Sequence, residues 1–142
     1  MDYQELLKLV PKHKFDIESV NKLSIIGYPI IAPILPELLE WCFDGNWPVA
    51  QCLDKLLIGI GKPLAVYIKP IFMGNDDTGK YFILSRIISY SKELSEELYS
   101  DLIRMANLPT QGEIEEGVNE ISQEILDNLE SLTRKTEINT IF

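Results

Sequence analysis

The residue types that carry catalytic or metal chemistry are sparse in this chain, and their spacing leaves them without partners. The single histidine, His13, stands between Lys12 and Lys14 in a segment opened by Pro11. A Ser-His-Asp or Cys-His mechanism needs a histidine held by an acid and hydrogen-bonded to a nucleophile. No such arrangement is near His13, which is expected to be an exposed loop residue. Cys42 and Cys52 match no zinc spacing. Both fall in apolar helical patterns, so they are expected to be reduced core thiols. No glycine-rich phosphate loop, calcium loop or nucleotide fingerprint occurs, and Asn75-Asp76-Asp77 is expected to be an inter-helix turn. The chain is therefore expected to hold no metal and no cofactor, and not to be an enzyme.

Carboxylates are abundant instead. Glu113, Glu116, Glu120, Glu124 and Asp127 fall on one side of a helix. The apolar face of Ile114, Val118, Ile121, Ile125, Leu129 and Leu132 lies about 100° round from them. Paired acids in catalysis sit in a cleft that raises one pKa. A continuous stripe instead suits solvent or a basic partner. The second candidate surface is aromatic. Trp41 and Trp47 bracket the turn Asp44-Gly45-Asn46, and Gln51 follows one helical turn later. Tryptophan is enriched in binding hot spots, and the competing role is to seal the junction between two helices. The candidate partner-binding residues are thus Trp41, Asn46, Trp47, Gln51, Glu113, Glu116, Glu120 and Glu124.

Charge narrows the partner class. The net charge is −9 over 142 residues. Residues 1–74 carry 8 acids against 7 bases, a net of −1, and residues 75–142 carry 14 against 6, a net of −8. Such a surface repels phosphate, so a nucleic-acid partner is not expected. The longest uncharged run, Leu23 to Pro36, is broken by Gly27, Pro29 and Pro33 and is too short to span a bilayer. The N-terminus has neither a basic nor an apolar leader pattern, and a cytoplasmic location is expected. Hydrophobic residues make up 46%, enough to support a packed core rather than a disordered chain.

These residues must be positioned by helices, since helical spacing recurs throughout and no clean alternating strand appears. A short helix over 2–10 is expected to end at Pro11. Asp16 caps a helix with Ile17, Val20, Leu23 and Ile26 on one face and Gly27 as its stop. Pro29 can open the next helix, and Pro36 should kink that helix or mark its true beginning. Helices follow over 47–60 (stopped by Gly61), over 63–73 and over 78–90, where Tyr81, Phe82, Ile83, Ile87 and Ile88 would also suit a strand but context and length favour a buried helix. Leu94, Leu98, Leu102 and Met105 mark one more. The last opens with a capping box, Thr110 and Glu113, and runs to about 132. Residues 1–132 are expected to form one domain and 133–142 a tail, with Ile138, Ile141 and Phe142 folding back or fraying.

The chain also repeats itself at 34 residues: Gly27 and Gly61, Pro29 and Pro63, Pro36 and Pro70, Leu23 and Leu57, Ile26 and Ile60, Ile30 and Leu64, Ile34 and Ile68. A period of this size marks a solenoid, whose units bury their apolar faces on their neighbours. The run Ile34-Leu35-Pro36-Glu37-Leu38-Leu39, the turn at Asp44, Trp47-Pro48-Val49-Ala50 and the stop at Gly61 resemble a HEAT repeat. Residues 30–61 match best. HEAT repeats often carry an Arg after the helix-B valine. Here Ala50 stands there, so the resemblance implies no Asp–Arg ladder and stacking by apolar contact alone. Pro11-Lys12-His13-Lys14-Phe15-Asp16, Pro33 to Trp41, Asn46 to Ala50 and Gly112 to Val118 further resemble a small family of uncharacterised bacterial proteins with HEAT-like folds.

The expected fold is all-α, a short HEAT-like α-solenoid of about eight helices in four antiparallel pairs. Glu18, Lys22, Gln51, Lys55, Arg86 and Glu116 are expected on its concave side. The expected function is a non-catalytic protein-interaction module, in its sharper form an immunity-type protein that takes a basic partner by electrostatic steering. A DNA glycosylase-type enzyme of HEAT-like fold is the alternative, and the acidic charge argues against it.

Overall fold

The structure, a computed structural model, describes the backbone of residues 1–141 and the side chains of residues 1–135. Among the described residues there are ten α-helices, three single-turn 3-10 helices and no strand. The α-helices are α1 (Tyr3–Leu7), α2 (Ile17–Ile26), α3 (Leu35–Trp41), α4 (Pro48–Ile60), α5 (Ala65–Phe72), α6 (Asp77–Arg86), α7 (Lys92–Glu97), α8 (Tyr99–Asn107), α9 (Gln111–Glu115) and α10 (Val118–Ile141). The 3-10 turns Ala32–Ile34 and Lys62–Leu64 lead into α3 and α5, and Ile88–Tyr90 precedes α7.

Short polar side chains start these helices. Asp2, Asp16, Asp76, Ser91 and Thr110 each accept a backbone N–H of the first turn, which satisfies donors that have no partner within the helix. Gly27 and Gly61 stop α2 and α4 with φ of 73° and 70°. With ψ of 174° and −140°, both lie near a region that glycine alone enters cheaply. The repeated glycine is thus a repeated stop.

Beyond the stop the register slips. The 3-10 turn starts directly after Gly61 but only at Ala32 after Gly27, so α3 and α5 begin 30 residues apart, at Leu35 and Ala65. Leu23 and Leu57 are both fully buried, as are Ile34 and Ile68, but Ile30 is exposed where Leu64 is buried. By position Leu64 corresponds to Ile34, the last residue of the earlier 3-10 turn. Pro29 lies in the extra turn and does not open a helix. Pro36 falls in the first turn of α3, so it marks a beginning rather than a kink.

The helix count rises from eight to ten for two local reasons. The segment 94–107 breaks at Leu98, which leaves helical geometry at φ −101° and ψ 18°. The capping box is present, but it opens only the five residues of α9, and Gly117 at φ 77° separates these from α10. α10 then continues unbroken past residue 132. The side chains of Ile138, Ile141 and Phe142 lie outside the described residues.

α2 packs on α4, α3 on both α4 and α5, α5 on α6, and α10 on α6, α7 and α8. One continuous apolar core runs through them, from Leu6 to Leu126. Each fully buried leucine in it, such as Leu39, Leu53 or Leu57, contributes roughly 1.5–3 kcal/mol by leaving water.

Candidate functional site

The exposed acids of α9 and α10 gather at the junction with α6. Because Gly117 turns the chain between the two helices, Glu116, Glu120 and Glu124 line a groove of about 390 Å³ together with Tyr81, Ile114 and Gly117. Tyr81 is 37% and Ile114 46% exposed, so the groove offers apolar surface between its charges. No ion pair occupies Glu116, Glu120 or Glu124 among the described residues. Glu116 and Glu120 also flank the N-terminus of α10, where the helix dipole favours negative charge. The groove is equipped to take cationic side chains with aliphatic stems.

Glu113 is not part of this face, which corrects the continuous stripe expected from the sequence. It is fully buried, and its carboxylate is the centre of an ionic cluster. Arg104 of α8 donates to both oxygens, at 2.6 Å and 2.8 Å, and donates again to the Phe72 carbonyl at 3.2 Å. Lys80 of α6, only 2% exposed, donates to Glu113 Oε2 at 3.0 Å and meets Asp77 Oδ1 at 2.8 Å. The Thr110 N–H completes the shell at 2.8 Å. Two cations thus balance two anions, with Lys80 and Glu113 buried and Asp77 and Arg104 at the rim. Burial alone would raise the Glu113 carboxyl. Arg104, the Thr110 N–H and Lys80 outweigh it and hold the group down at about 2. Gly112 lies close beside this cluster, and a side chain there would displace the Asp77 carboxylate that meets Lys80.

A second ion pair joins α4 to α6. Arg86 Nε donates to Asp54 Oδ2 at 2.7 Å. This corrects the expectation of stacking by apolar contact alone: an Asp–Arg tie exists, one turn after Ala50. Its balance is the reverse of the first. Burial is the largest influence and raises the Asp54 carboxyl against the pull of Arg86, and Asp54 Oδ1 is buried without a partner. Burial also pushes up the neighbouring Cys42 thiol. Cys42 is buried, Cys52 is half-buried, and both are free.

The aromatic candidates lie at the α3–α4 turn. Trp41 and Trp47 meet edge to face at 5.5 Å and 62°, half-buried and packed on the core. Asn46 is exposed, and its N–H donates to Asp44 Oδ1 at 3.0 Å. Gln51 Nε2 donates to the Gly45 carbonyl at 3.4 Å. Gln51 also lines a groove of about 450 Å³ between α2 and α4, with Asn21, Ser24, Lys55 and Leu56. Gly45 is tight because Phe82 and Arg86 press against it. α6 therefore serves both surfaces: Tyr81 lines the acidic groove, and its neighbour Phe82 packs at the α3–α4 turn. Elsewhere, Glu18 pairs with Lys22 at 3.5 Å in the open, and His13 is exposed.

Sequence reasoning missed Lys80, Asp77, Arg104 and Tyr81. Lys80 directly precedes the apolar run Tyr81 to Leu84 and Arg104 sits inside another, and the one available hint was a capping-box glutamate among so many acids.

These features define a class: an all-helical protein built on one apolar core, with ion pairs tying α4 to α6 and α9 to α6 and α8. Within it, the chain belongs to the family Domain of unknown function (DUF5071), whose model matches residues 9–126. A search of the curated proteins finds no match. Among the described residues no helix is long and apolar enough to cross a membrane. No group of three or more His, Cys, Asp or Glu among them could hold a metal ion.

Proposed function

We propose that this protein is a non-catalytic protein-interaction module of HEAT-like solenoid architecture, acting in the cytoplasm on a basic partner. The observation that carries this reading is the acidic groove: unpaired Glu116, Glu120 and Glu124 beside exposed Tyr81 and Ile114. Arginine and lysine pair with such carboxylates, and their stems cover the apolar floor. The net −8 of residues 75–142 adds long-range steering to the contact. Support for the solenoid architecture comes from the repeated glycine stops and from the packing of alternate helices in the first half of the chain, α2 on α4 and α3 on α5. An immunity-type role, in which a small acidic protein captures a basic toxin or nuclease domain, is the sharper form of this reading.

The test is a differential capture from the native host at low salt. The wild type and the triple variant Glu116→Gln, Glu120→Gln, Glu124→Gln serve as parallel baits. A basic protein retained by the wild type and lost with the variant is expected. Equal recovery of every protein by both baits would remove the groove as the binding surface.

A further inference from the structure

We draw no further inference here: the strongest candidate, the apolar groove between α3 and α5 that Leu39, Phe43, Val66 and Tyr67 line, carries nothing because nothing in the structure shows what covers it.

Discussion

Asp54 and Glu113 are both buried acids that tie one helix to another through an arginine, yet their surroundings push them in opposite directions. Asp54 has one donor, Arg86, and one buried oxygen left without a partner. Burial wins, and its carboxyl is raised. Glu113 has both oxygens filled, by Arg104 twice, by Lys80 and by the Thr110 N–H. There the partners win, and its carboxyl is held at about 2. A buried charge is stabilising only when geometry and hydrogen bonds satisfy it fully. The tie of α4 to α6 therefore merely tolerates its ion pair, an arginine bond set against an unfilled buried oxygen. The tie of α9 to α6 and α8 instead depends on its charges.

The largest expected effect follows from that difference. Glu113→Gln leaves the buried Lys80 with Asp77 alone and deprives the half-exposed Arg104 of its carboxylate, and should destabilise the protein by ~3–5 kcal/mol in urea unfolding. A loss under ~1 kcal/mol would mean that the cluster is decoration and that the two ties are alike. Leu57→Ala and Leu39→Ala come next. Both residues are buried in the core of the N-terminal half and should each cost ~2–5 kcal/mol. Near-neutral results at both would show that the core of that half is not the one described.

The comparison sharpens with pH. The folded pKa of Glu113 lies below its unfolded value of about 4.3. Its contribution is therefore complete above about 4.3 and lost as pH falls toward about 2. The sign for Asp54 is opposite. With its folded pKa raised, ionisation opposes folding, and acid falling through that raised pKa toward about 3.9 relieves the penalty. Asp54→Asn should accordingly cost under ~1 kcal/mol at neutral pH. Subtracting each variant's stability curve from that of the wild type should give pH slopes of opposite sign. Parallel slopes would erase the distinction.

How legible these two ties were in the sequence depends on range. The glycine stops, the Asp and Thr caps and the leucine faces are written within a few residues of one another, and they were readable. The polar ties join residues far apart: the ion pairs of Lys80 with Glu113 and Arg86 with Asp54, and the hydrogen bond from Arg104 to the Phe72 carbonyl. Periodicity places a residue on a face of its helix but does not say which helix covers that face. Glu113 thus read as one more member of an exposed row, although its neighbours in sequence, Ile114 and Glu116, are the exposed ones. The break at Gly117 had a visible signal in the glycine itself. It was overridden by the strong apolar spacing on either side. The register slip after Gly27 was hidden because Ile30 and Leu64 match in type and differ only in burial.

The smallest expected effect on stability belongs to the acids that remain in the open. The triple Glu116→Gln, Glu120→Gln, Glu124→Gln variant should stay within about 0.5 kcal/mol of the wild type, as surface changes do. A large loss would place these acids with Glu113 as structural groups.

That contrast sets up the decisive measurement, the association rate between the protein and the basic partner recovered by capture, followed by stopped flow over a range of salt. The account predicts that the triple variant keeps its melting temperature and loses on-rate more than it gains off-rate, with the difference fading as salt screens the exposed charges beyond ~8–10 Å. An unchanged on-rate in the folded variant would contradict it, and would shift the search to the surface around Gln51 and the Trp41–Trp47 turn.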